Sequence, residues 1–458
     1  MHDLRGRVLA GTFAHAPVRG AVEILDDALV EIDAAGAIAA VIPRDDPRHA
    51  ATLSDARAAG RLERIPAGAF AIPGFVDLHI HAPQYPQLGA ALDAPLEVWL
   101  HRYTFPLEAR YADLAFARRA YTALVDDLLA NGTTTALMFA TVHTDATRLL
   151  ADIAVEKGLR ALIGKVAMDD PAACPPDLRD ASPEAALAGT QTVIDHIFAH
   201  PDNAQRRVLP VVTPRFIPSC TDPTLEGLGA LARACGCHVQ THCSESDWEH
   251  AFVLKRMGRT DAEALDGFGL VGRRTVLAHA GFLTPADMDL VRRRGAGIAH
   301  CPVSNAYFAN AIFPLRSALE KGLRVGLGTD ISGGPIASIL DAMRMAVAAS
   351  RMLEDGVDPD LPAERRGRPG SRIDWRTAFH LATAGGADAL DLPVGLFMPG
   401  RRFDALVVDP HAPAGTVRLF EDLSTEEVLA RSLYTASRPN IAGVYVDGRS
   451  RTTISARN

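Results

Sequence analysis

A chain of 458 residues, 48% hydrophobic and 22% charged, has the balance of an ordinary globular protein and is long enough to bury a site deeply. A formal net charge of −8 with no basic block points away from nucleic acid and anionic membrane as partners and toward a small molecule. The first twenty residues lack the continuous apolar core of a signal peptide, and no apolar stretch of spanning length is free of charges or turn residues. Cys174, Cys220, Cys235, Cys237, Cys243 and Cys301 form no CxxC pair, so they are expected as reduced thiols of a cytoplasmic protein.

Over the first seventy residues the runs RVLAGTF, AVEILDDALVEID and AIAAVIP predict a small sheet, interrupted by a polar, alanine-rich stretch at residues 44–63. From Ile72 onward, short apolar runs alternate with amphipathic segments. The runs are FVDLHIH, TTTALMFA, LRALIGKVAM, RVLPVVTPR, CHVQTHC, TVLAHA, AGIAH and VGLGTD, separated by segments such as DLAFARRAYTALVDDLLANG and TPADMDLVRRRG. Nearly continuous apolar strands between helices predict a parallel sheet, and eight such units match a closed barrel. Helices are expected around residues 335–353 and 374–390, with an exposed loop at 355–371, before the tail returns to β-type runs in FDALVVDP and IAGVYVDG. The expected fold class is α/β: a (β/α)8 TIM-type barrel at residues 72–392, with a small discontinuous β-sandwich domain from residues 1–71 and 393–458.

Titratable residues gather at one end of those strands. His79 and His81 lie on the first, His242 ends the fifth, His279 ends the sixth and Asp330 ends the eighth. In such a barrel the C-terminal strand ends face the active site. The period of two along a strand sends His79 and His81 to the same side. Four imidazoles and a carboxylate at one mouth offer ligands for a borderline divalent metal, zinc above all. Taken singly, each has a plainer reading: a chance His-x-His, histidines satisfied near strand ends, an aspartate capping the next helix. Their joint arrangement favours the metal. Glu245, three residues after His242 in THCSES, is either an exposed loop glutamate or a carboxylate beside a metal-activated water, placed to carry its proton.

In order and spacing, PGFVDLHIH, THCSE, LAH, HCPVSN, GLGTD and TAGGA resemble the metal-dependent amidohydrolase superfamily. HIHAPQYPQLG, LEVWLHRYTFPLEARY, NGTTTALMF, VTPRF and LGTDISGG are similar to its guanine deaminase branch, and the resemblance runs from about Pro73 to Gly448. It implies one zinc per chain on His79, His81, His242 and Asp330, with Glu245, His279 and Asp330 as the catalytic groups. Glu245 would shuttle the proton and His279 would hydrogen-bond the attacking water. The resemblance places substrate against Gln84, Arg215 and Phe216 and against His81, His242, Glu245 and Asp330. It implies hydrolysis of guanine to xanthine and ammonia by a homodimer. The alternatives are a related deaminase of another heterocycle (8-oxoguanine, a pterin or a triazine), a binuclear hydrolase of amides or cyclic ureas, and a catalytically dead scaffold.

Arg215, at the end of the fourth strand in PVVTPRF, is expensive to bury unless it meets an acceptor, and O6 of guanine is a suitable one. On that reading adenine, with an amino group in that place, leaves the guanidinium unpaired. The plainer reading is a surface arginine paired with a loop carboxylate or a helix end. Lys165, in LIGKVAMDD, is read as a structural cation or one just behind the metal ligands, rather than a carboxylated bridge between two metals. His300 and Asn305, in HCPVSN, either organise a loop or lie near the substrate.

Overall fold

The computed structural model describes residues 3–309 and 311–451. Its larger sheet is parallel throughout. The strands are Phe75–His81, Thr133–Phe139, Arg160–Gly164 continued by Val166–Ala167, Val208–Pro214, His238–Cys243, Thr275–His279, Gly297–His300 and Arg324–Leu327, paired in chain order. These are the eight expected strands. The ring closes at the mouth through the backbone: the Asp330 N–H donates to the His79 carbonyl and the His81 N–H to the Ile331 carbonyl, each at 2.9 Å. Gly328 makes that closure possible, since a Cβ there would lie 2.9 Å from the His79 Cβ and 3.2 Å from its backbone nitrogen.

Alternation along each strand sorts side chains into two cores. Val76, Leu78, Leu137, Leu162, Val211, Val276 and Ala299 fill the lumen. Ala136, Met138, Ile163, Val212 and Ile298 face outward beneath helical residues such as Leu124, Leu150, Ile194, Leu228, Val291 and Met343. The short helix Gly386–Ala389 plugs the N-terminal end, where Ala389 abuts Gly297 and the Leu390 carbonyl lies 2.8 Å from His238 Nε2. The lumen is open at its C-terminal end, where a cavity is lined by His81, His242 and Asp330. Local signals explain the helix starts. Asp113 accepts from the Ala115 and Phe116 N–H groups ahead of helix Leu114–Ala130, and a capping box between Thr284 and Asp287 opens Pro285–Arg294.

The terminal segments share a second sheet, in the order Arg449–Ser450, Ile441–Val446, Ala405–Val408, Phe70–Pro73, Val8–His15, Glu23–Ile32 and Ile38–Ile42, with Leu62–Arg64 also on Val8–His15. Leu9, Phe13, Val30, Phe397, Phe403 and Tyr445 form its own core. Arg160 ties it to the barrel. That buried guanidinium donates to Asp404 at 2.8 and 3.2 Å and to Asp447 at 2.6 Å, bridging two carboxylates of the C-terminal segment, the second of which also pairs with Arg402.

The alanine-rich interruption at residues 44–63 holds a helix, His49–Ala58. Alanine is the best helix former, but only His49 and Ala56 of this helix are buried, so no apolar stripe announces it. The stretch at 355–371 is loop apart from one short helical turn, Ala363–Arg366. Among the described residues no helix is long and apolar enough to cross a membrane, and all six cysteines are free.

Candidate active site

A slip in the first strand aims the histidines. Pairing between Phe75–His81 and Thr133–Phe139 shifts register between Asp77 and Ile80. Before the slip Val76 and Leu78 face the lumen; beyond it Ile80 joins the outer core, and His79 and His81 turn inward. Asp77 pins the slip, accepting from the backbone N–H of His79 at 3.2 Å and of Thr329 at 3.0 Å, and from the Thr329 hydroxyl at 2.6 Å. At the sixth and eighth strand ends the backbone itself turns the side chains. His279 (φ 67°) and Asp330 (φ 50°) both adopt the left-handed conformation that non-glycine residues rarely take outside over-determined sites.

These devices bring the expected ligands together. His81 Nε2 lies 2.9 Å from His242 Nε2, and Asp330 Oδ1 lies 3.2 Å from His79 Nε2 and 3.8 Å from His81 Nε2. In the triads His79/His81/Asp330, His79/His242/His279 and Glu245/His279/Asp330, one donor atom from each residue falls within 4.8 Å of the others. Burial pushes His79, His81 and His242 below the ordinary imidazole range, so they are neutral at pH 7. His242 Nδ1 sits 2.6 Å from the Arg215 carbonyl oxygen, which fixes the hydrogen on Nδ1 and leaves Nε2 with a lone pair. A second neutral nitrogen at 2.9 Å is tolerable only with a proton or a cation between the two. Both ring nitrogens of His79 are buried without a hydrogen-bond partner. Neutral imidazoles and one carboxylate that converge in this way, with His79 left unpartnered, fit a borderline divalent cation.

The expected proton carrier stands beside them. Glu245 is no exposed loop residue: its side chain retains 13% of its accessibility, and Oε1 lies 3.5 Å from His279 Nε2. Its backbone N–H donates to Glu249 Oε2 at 2.7 Å, and burial raises its carboxyl above the usual range, toward neutrality. Asn305 orients His279, its Oδ1 lying 3.0 Å from Nδ1. The side chain of Asp330 faces imidazoles, and no helix begins immediately after it, so the capping alternative falls away.

A cavity opens onto the cluster, lined by His81, Gln84, Arg215, Phe216, His242, Glu245 and Asp330. Leu96, Trp99, Leu100 and Phe308 add an apolar wall that the sequence reading did not anticipate. Phe216 stands 6.2 Å, centroid to centroid, from the His242 ring.

One expectation needs correction. Arg215 is buried at the pocket, but it does not wait for a ligand to find an acceptor: Nη1 and Nη2 donate to Glu108 at 2.6 and 3.1 Å. Adenine therefore would not leave the guanidinium unpaired. Glu108, absent from the sequence-derived site, sits on helix Phe105–Ala109 within the segment YTFPLEARY. Its carboxylate also accepts from Gln84 Nε2 at 2.9 Å. Lys165 takes no part in the cluster; its ammonium donates to Asp180 at 2.7 Å and to the Val166 carbonyl at 3.0 Å, a structural role. His300 is buried next to Phe313, away from this cavity.

A model of the amidohydrolase family matches residues 70–451. The chain is 36% identical over 452 residues to a probable guanine deaminase of Schizosaccharomyces pombe, covering 96% of this chain and 82% of that protein. It is 34% identical over 461 residues to a guanine deaminase of Homo sapiens, covering 98% and 97%. Among solved structures, guanine deaminase from C. acetobutylicum with bound guanine superposes with a TM-score of 0.86 at 30% identity, over 97% of this chain and 99% of that one.

Proposed function

Because the chain belongs to the metal-dependent amidohydrolase family, in the branch of the guanine deaminases, we propose that it holds one zinc ion and hydrolyses guanine to xanthine and ammonia. One observation carries the reading. The hydrogen-bonding, aromatic-walled cavity and the buried His/Asp cluster share His81, His242, Glu245 and Asp330, so a ring in the cavity lies against the donor set.

His79, His81, His242 and Asp330 would hold the zinc, whose Lewis acidity lowers the pKa of water toward about 7. Glu245 takes a proton from the attacking water and delivers it to the ring nitrogen next to C2. His279, steadied by Asn305, hydrogen-bonds the oxygen as negative charge builds on it. The new C2–O bond makes C2 tetrahedral. The remaining proton of the new C2 hydroxyl then passes to the exocyclic amine, C2=O forms as the C2–N bond breaks, and ammonia leaves. Phe216 supplies an apolar ring for the base, while Gln84 and Arg215 offer hydrogen bonds to its edge.

Substrate identity is tested with a panel of rings. Guanine is expected to exceed adenine in kcat/KM by at least about 10²-fold, since an amino group at position 6 sets donor against donor at Arg215. A higher kcat/KM on 8-oxoguanine, a pterin or a triazine would replace the substrate and keep the reaction class.

A further inference from the structure

We infer that Glu108 is a positioning residue that sets what Arg215 and Gln84 offer to the ring and makes the pocket a site for an uncharged base. This rests on the proposed guanine reading and goes beyond it, since Glu108 touches the two recognition side chains and does not line the cavity itself.

The geometry is specific. Glu108 engages the outer edge of the guanidinium, taking one hydrogen from each terminal nitrogen. Another hydrogen on Nη1 is directed at Met168 Sδ, 3.9 Å away. What remains is the side edge: Nε–H and the second hydrogen of Nη2, which meet no protein acceptor among the described residues. Two parallel donors on that edge match adjacent acceptors of a purine, as O6 and N7 of guanine are. Without Glu108 the arginine would be free to swing its outer edge to the ligand instead.

The same carboxylate fixes the amide of Gln84. Gln84 Nε2 donates to Glu108, while Gln84 Oε1 accepts from the Ser332 N–H at 3.2 Å, so the donor and acceptor ends cannot exchange. Glu108, Gln84 and Arg215 retain 1%, 2% and 4% of their accessibility, which leaves water little role in the network. The charges of Glu108 and Arg215 cancel as a buried pair. Guanine is neutral near pH 7, whereas xanthine is more acidic, so a cancelled charge favours the substrate ring over an anionic product.

The test uses the zinc-loaded enzyme and the variants Glu108→Gln, Arg215→Gln and their double. Glu108→Gln is expected to lower guanine kcat/KM by at least about 10²-fold, the scale of a misplacement of about 1 Å, with zinc content unchanged. Inhibition by xanthine should tighten by about tenfold as pH rises through xanthine's ionisation, because an uncompensated guanidinium now faces the anion. The double variant, which removes both charges, should lose no more than about 3-fold beyond Arg215→Gln alone, because the two residues act as one unit. If Glu108→Gln does not accumulate as folded protein, that comparison of the double variant with Arg215→Gln decides. Guanine kcat/KM within about 3-fold of wild type in Glu108→Gln, losses that multiply in the double variant, or xanthine inhibition with an unchanged pH dependence would overturn the inference. A wild-type enzyme inert on guanine would instead overturn the proposed function.

Discussion

Glu245→Gln is expected to lower kcat on guanine by about 10²–10⁴-fold, the range for removing a general acid–base, while metal content stays at the wild-type level. The substitution keeps size and planarity and removes only the capacity to carry a proton. The titratable groups around Glu245 that line the cluster are engaged elsewhere. His279 Nε2 is 3.5 Å from its Oε1, but that imidazole is tied through Nδ1 to Asn305 and is placed to hold the oxygen. The carboxyls of Asp330 and Glu108 are engaged by imidazoles and by Arg215. Assays at saturating guanine, paired with elemental analysis, decide the matter. Near-wild-type turnover would return Glu245 to a structural part, holding the loop through its backbone bond to Glu249.

Stripping the metal with a chelator is expected to abolish turnover, by at least about 10⁴-fold, because water's pKa then returns from about 7 toward 15.7. Zinc at one equivalent per chain should restore it. Stability should respond too. Both nitrogens of His79 and Nδ1 of His81 are buried without hydrogen-bond partners, so the metal-free protein keeps unsatisfied buried polar atoms. Rebinding zinc at about 1,000 times its Kd contributes about 4.1 kcal/mol and raises the apparent melting midpoint. Two equivalents for full activity would favour a binuclear centre, which the pairing of Lys165 with Asp180 argues against.

Much of this site was legible in the sequence because its parts are short motifs at strand ends. In FVDLHIH, THCSE, LAH and GLGTD the ligand positions follow from strand period and from which end of a barrel is functional. Less legible was how they are aimed. A pattern of two cannot announce the register slip between Asp77 and Ile80 that changes the inward-facing set, nor the left-handed turns at His279 and Asp330. Glu108 was missed for a different reason. It lies 107 residues from Arg215 in the chain, on a short helix following a π-helical turn at Leu100–Thr104, so no amphipathic period marks its inward side. A clue was present: a buried arginine needs a carboxylate, and the family-like segment YTFPLEARY holds one. The helix at His49–Ala58 escaped because it buries almost nothing.

The most direct test of the account is the product formed from guanine in water enriched in oxygen-18. Purified enzyme should yield xanthine carrying a single heavy oxygen, at C2, with one ammonia released per xanthine, and the label should appear in no recovered guanine. Guanine returned unchanged, or a product whose C2 keeps its nitrogen, would contradict hydrolytic deamination in this pocket.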